Sequence, residues 1–217
     1  MLKQIATIAA FALFTLSFYF APNASAQTPS LAYETNLIQN GDAESDFGAD
    51  DATSTVKPTE WITSGAFSAV KYGAKGEFPD ASTPGSTGGE LNFFAGGNAP
   101  VSTATQRISL AKFADDIDAG RVHYRLAGKL GGWGSLEDSA KVSVSFEDAS
   151  NKVLDTGTIG PVGAGQRLLN TAFVFQEQSG NVPAGARSSL VTIVFTRKGD
   201  GYNHGFADQL SLSLTHV

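Results

Sequence analysis

Hydrophobic and polar residues alternate most cleanly in the second half of the chain. Val142, Val144 and Phe146 fall on one side of an extended segment, with Lys141, Ser143, Ser145 and Glu147 on the other. A turn at Asp148-Ala-Ser-Asn151 and a return over 152–158 complete a predicted hairpin. Val191, Ile193 and Phe195 set the inward side of a strand over 189–197, and 169–176 reads as a strand carrying Phe173 and Phe175. The chain closes on the same period. Leu210, Leu212 and Leu214 point one way and Gln209, Ser211, Ser213 and Thr215 the other, in a strand expected to begin at Asp208.

The first half carries the same signal more weakly. Short strands are expected at 36–40, 61–63, 67–72, 90–94, 104–110 and 121–127. Segments 42–60, 73–89 and 128–138 read as loops, the last with Gly131-Gly-Trp-Gly134 at its tip. The one predicted helix covers 111–117, with Asp115 and Asp116 on a solvated surface. About ten short strands with almost no helix predict an all-β fold, an antiparallel β-sandwich with one face of each sheet buried. A jelly roll fits best, because its first and last strands lie side by side.

Composition adds a compartment. Lys3, the uncharged run from Ile5 to Phe20 and the small residues Ala24-Ser-Ala26 form a secretory signal over 1–26. An uncleaved anchor is the alternative, against which the run is short and is broken at Pro22-Asn23. Residues 27–35 read as a flexible leader and 36–217 as one domain, secreted to the extracellular space or periplasm. The absence of cysteine in an exported chain leaves stability to core burial or a metal and suits a bacterial product. A net charge of −6 without clustered Lys and Arg argues against nucleic acid. Nothing in the mature chain reads as a membrane span.

Asn36-Leu-Ile-Gln-Asn-Gly-Asp-Ala-Glu44, followed by Trp61, resembles the opening of galactose-binding-like jelly rolls, among them many carbohydrate-binding modules. Gly205-Phe-Ala-Asp-Gln-Leu-Ser-Leu-Ser-Leu214 is similar to their closing strand. Ala43 departs from the pattern, standing where those modules carry a Phe. The resemblance implies a jelly-roll fold and a structural calcium ion shared by Glu44 and Asp208. Two carboxylates brought together need a cation, and calcium takes six to eight oxygens. The other reading of the two acids is turn capping or pairing with Arg or Lys.

Candidate ligand contacts are Trp133 and Tyr202, whose rings suit stacking on the C–H face of a sugar, and Asp138 and Asn203, which suit hydroxyl groups. They form one site if their loops share an end of the sandwich. Otherwise Trp133 closes over the core and Asp138 caps a turn. The three histidines, His123, His204 and His216, lie at no telling spacing from a nucleophile, and no phosphate loop, zinc helix or nucleophile elbow is present. The expected function is non-catalytic carbohydrate binding. The alternatives are an adhesive domain with a protein partner and a jelly-roll hydrolase or lyase.

Overall fold

Eleven strands and one short helix account for the regular structure of the computed structural model, which describes residues 33–86 and 90–217. The expected signal segment and most of the leader lie outside the described residues. The strands are β1 (Ala49–Asp51), β2 (Ile62–Ser64), β3 (Ser68–Lys75), β4 (Asn92–Gly97), β5 (Val101–Ser109), β6 (Val122–Gly132), β7 (Ser139–Glu147), β8 (Val153–Ile159), β9 (Ala172–Asn181), β10 (Ser188–Thr196) and β11 (Asn203–His216). Helix α1 (Ala114–Asp118) continues a 3-10 turn at Ala111–Phe113.

The strands form two sheets, β1-β3-β4-β11-β6-β9 and β2-β5-β10-β7-β8, paired antiparallel throughout except for β1 against β3. The all-β sandwich is therefore the one that the alternation predicts. Its main core takes Val142, Val144, Phe146, Val191, Ile193 and Phe195 from one sheet and Leu126, Leu210, Leu212 and Leu214 from the other. Rings knit the layers together: Phe67 lies 5.5 Å from Phe94 and 5.0 Å from Phe195. Trp61 joins this core and donates its indole N–H to Asn40 O at 3.0 Å.

Two expectations need correction. Segment 36–40 does run beside β11, but not as a regular strand. Glu34 N and Leu37 N donate to Leu214 O and Leu212 O. The Asn36 side chain then takes the place of a backbone rung, donating to Leu210 O and accepting from Leu212 N, both at 3.0 Å. Positive φ at Glu34, Asn40 and Ala43 keeps the segment from extending, and Ala43 sits fully buried in the core. Secondly, Asp116 is not simply solvated. It accepts from the Tyr33 hydroxyl at 2.7 Å and pairs with Arg121 at 2.6 Å, tying the start of the described chain to α1.

The six-stranded sheet is buried on both faces. Successive residues of a strand point to opposite sides, so Phe94 enters the main core while Phe93 enters a second cluster with Val70, Phe78, Ala95, Phe173 and Phe206. Phe78 belongs to the segment after β3, which folds back over the sheet. Gly73 N donates to Pro79 O and Phe173 N to Pro84 O, each at 2.9 Å. Gly85 has φ +83°, and a β-carbon there would fall 2.1 Å from Phe173 O, so the close approach requires glycine.

Candidate functional site

The candidate site is organised by Asp138, which follows the turn out of β6. β6 and β11 pair with Gly132 opposite Gly205, so the loops at those strand ends meet. Asp138 Oδ1 accepts from Lys198 N at 2.7 Å and Oδ2 from His204 N at 2.9 Å. One buried carboxylate therefore clamps the β6–β7 loop to the β10–β11 loop. Trp133 from the first loop and Tyr202 from the second pack, partly exposed, against the same second aromatic cluster. Tyr202 meets Phe78 edge-on at 5.1 Å and His204 at 5.1 Å.

The Trp133 loop is held from beneath by Arg167, between β8 and β9. Its guanidinium donates to the carbonyls of Gly132 (2.9 Å), Gly134 (2.8 Å), Leu136 (2.7 Å) and Asn170 (2.6 Å). This use suits arginine's rigid fork of donors. Burial moves its pKa down from the ordinary arginine value, opposed by Glu137 and Asp138. Sequence reading missed Arg167, since nothing around it marks a residue that binds carbonyls from a distant loop.

The four expected ligand contacts thus divide. Trp133 and Tyr202 pack against the same cluster as partly exposed residues, with the Tyr202 hydroxyl itself buried. Asp138 and Asn203 are buried, and their polar atoms face the protein: Asn203 Oδ1 accepts from Gly205 N at 3.2 Å, and its amide donates to Ala99 O at 3.4 Å. These two position the aromatic pair. His204 is also sealed, its Nε2 3.5 Å from Glu77 and its Nδ1 3.8 Å from Asp138. Burial depresses its pKa, outweighing the two acids.

Asp208 does not begin the last strand. It sits mid-strand, fully buried, where the β11–β6 register shifts and Gln209 turns to φ +49°. Its Oδ2 accepts from the Tyr72 hydroxyl at 2.6 Å and its Oδ1 from Gln209 N at 2.7 Å. The acid facing it is Glu90, which also accepts from Gln209 Nε2 at 2.6 Å. Burial, reinforced by Glu90, pushes Asp208 up to about 8. Glu44, its expected partner on calcium, accepts instead from Leu91 N and Asn92 N, both at 2.8 Å. Both oxygens of Asp208 and Oε1 of Glu44 thus accept from O–H and N–H donors of the protein. Among the described residues no group of three His, Asp or Glu is placed to hold a metal.

No protein-family model matches the chain, and no curated protein matches it in sequence. Solved structures are similar in fold. The enzymatically active domain of tailspike protein 4 from bacteriophage CBA120 matches 83% of this chain at 15% identity, with a TM-score of 0.51. This chain spans 21% of that one. A family 61 carbohydrate-binding module, solved with β-1,4-galactotriose, matches 84% of this chain and 99% of its own at 15% identity and a TM-score of 0.45. A family 22 xylan-binding domain matches 87% and 97% at 11% identity and a TM-score of 0.42. At these identities the likeness is one of fold alone.

Proposed function

We propose that the chain is a non-catalytic binding domain that takes carbohydrate at the end of the sandwich where Trp133 and Tyr202 meet. The observation that carries this reading is the Asp138 clamp, which joins the two loops whose partly exposed aromatic residues, Trp133 and Tyr202, pack on one cluster. Rigid aromatic platforms favour sugar C–H faces because little freedom is lost on binding. A non-catalytic role is supported by the sealing of the most perturbed acid and of the buried histidine. Asp208 is 0% and His204 6% exposed, so a substrate has no access to either. A glycan array probed with the chain and with Trp133→Ala tests the proposal. Glycan binding lost in the variant supports it, and no binding by the parent chain removes it.

One observation favours a second reading, docking of a protein. Leu168 and Leu169 are 81% and 62% exposed, and both hold left-handed backbone, with φ 54° and 59°. They adjoin Arg167, whose guanidinium bonds the loop that carries Trp133 and the exposed Leu136. Bulky residues seldom occupy that conformation. If the array is silent, a binding partner lost on Leu168→Ser with Leu169→Ser supports adhesion.

Two further parts of the proposal stand on their own tests. Secretion rests on residues 1–26, and an exported chain starting at Gln27 supports it. A calcium ion between Glu44 and Asp208 requires both carboxylates to exchange their present donors for the ion. The three acids Asp208, Glu90 and Glu44 that bear on the Tyr72 hydroxyl support it. A melting temperature lowered by chelation would uphold the ion, and one unchanged by chelation would remove it.

A further inference from the structure

The Asp138 clamp has a second side. Beyond it, the open face of the five-stranded sheet carries a groove that the Trp133 and Tyr202 rings do not line. Its sequence logic is plain. Ser139 and Lys141 alternate outward on β7, and Val194 and Thr196 do so on β10, while Ala140, Val142, Ile193 and Phe195 fill the core. The register sets Lys141 opposite Val194 and Ser139 opposite Thr196. Lys198 follows two residues after Thr196, where its backbone N–H is fixed by Asp138.

The loop leaving β8 makes the wall. A β-carbon on Gly160 would lie 2.7 Å from Ala140 O, so this loop presses against β7. Glu137 Oε2 accepts from Ala164 N at 3.2 Å and fixes its far end. Two adjoining cavities result. One of 320 Å³ is lined by Ser139, Lys141, Pro161, Val194, Thr196 and Lys198. The other, of 440 Å³, is lined by Glu137, Ser139, Pro161, Gly163 and Lys198. They share Ser139, Pro161 and Lys198, so they form one groove with two compartments.

The charges in the compartments differ. The smaller one holds two lysines and no acid; Glu137 lines only the larger. Among the described residues neither Lys141 nor Lys198 belongs to an ion pair, although Lys71 and several arginines do. In a chain of net charge −6, two unpaired cations on one concavity are a local reversal of the overall field. Pro161 and Val194 add apolar surface, and Ser139 and Thr196 add hydroxyls.

We propose that this groove binds an acidic saccharide, a uronate unit whose carboxylate sits between Lys141 and Lys198 in the smaller compartment. The neighbouring sugar occupies the larger compartment, where Glu137 and Ser139 accept and donate to its hydroxyls and Pro161 meets its C–H face. A carboxylate gains charge-assisted hydrogen bonds from both ammonium groups, which a neutral sugar of the same shape does not. The inference rests on the carbohydrate reading and deepens it by naming the charge class of ligand.

Matched oligosaccharides test it: β-1,4-linked mannuronate against mannose oligomers, and glucuronate against glucose oligomers, titrated calorimetrically into the full chain at low and high salt. The acidic member of at least one pair is expected to bind about tenfold more tightly at low salt. That advantage shrinks in high salt and disappears in the Lys141→Met, Lys198→Met double variant, which keeps the parent melting temperature because both side chains are exposed. It survives Trp133→Ala. Equal binding of both members of every pair, or an acidic preference that persists without the two lysines, overturns the groove. Neutral oligomers that bind through Trp133 with no acidic preference overturn the groove and leave the carbohydrate reading standing. If none of these oligomers binds, the groove falls, and the glycan array decides the carbohydrate reading separately.

Discussion

Tyr72 donates its hydroxyl hydrogen to Asp208 at 2.6 Å inside a fold that leaves Asp208 no solvent contact. Burial, reinforced by the neighbouring Glu90, disfavours the carboxylate more than the Tyr72 hydrogen bond favours it, so the pKa rises from the ordinary aspartate value to about 8. The sign of the resulting pH dependence follows. The folded state holds the proton more tightly than the unfolded state, so the stability from this group is full below about pH 4. It is lost as pH rises through about 8. In chelator, the melting temperature should fall over that window for the parent chain. Asp208→Asn should flatten the fall and melt higher than the parent at pH 9. Parallel curves for the two proteins would show that Asp208 is not the titrating group.

Asp138 makes a sharper case, because its two oxygens accept from two different backbone amides. Asparagine has the same shape but offers one acceptor and one N–H₂ group. Asp138→Asn should therefore cost about 2–3 kcal/mol, since one buried amide then faces another donor. Urea unfolding measures the loss, and a change below about 0.5 kcal/mol would mean that the two loops are held by something else.

Arg167 should resist even a charge-conserving change. Lysine reaches the same cage with a point charge rather than a fork, and so leaves some of the four carbonyls unpaired. Arg167→Lys is expected to destabilise the fold by about 2 kcal/mol or more. It should also speed hydrogen exchange at Gly134 and Leu136, whose amides bond within this loop region. Unchanged exchange there would separate Arg167 from the positioning of Trp133.

Gly85 marks the closest approach of the covering segment to the sheet. With φ +83° and a β-carbon site 2.1 Å from Phe173 O, Gly85→Ala should lower stability by about 1–3 kcal/mol. Near-ultraviolet circular dichroism should weaken as the rings around Phe93 and Phe173 lose their packing. A neutral effect would mean that the segment does not need to lie this close.

The sandwich was legible in the sequence where one face of a strand meets core and the other meets water. Leu210, Leu212 and Leu214 and the β7–β8 hairpin follow period two for that reason. The start of β11 was not, because 203–208 are buried on both faces under the segment after β3, and no alternation survives there. That is why Asp208 read as a boundary residue. Asp138 and Asn203 looked like ligand contacts because a polar side chain in a glycine-rich loop is chemically suited to either task. Asp138 bonds backbone groups of another loop, and Asn203 bonds Gly205 N and the distant Ala99 O, pairings that sequence does not display. The meeting of Trp133 with Tyr202 depends on pairing Gly132 with Gly205, a contact across more than a third of the chain.

The central claim is that the aromatic pair held by Asp138 binds sugar, and titration calorimetry tests it most directly. The neutral oligosaccharide retained best on the array is titrated into the parent chain and into Trp133→Ala. The account predicts measurable binding by the parent and an affinity at least about tenfold weaker in the variant, with both melting alike. Equal affinity in the two proteins would contradict it.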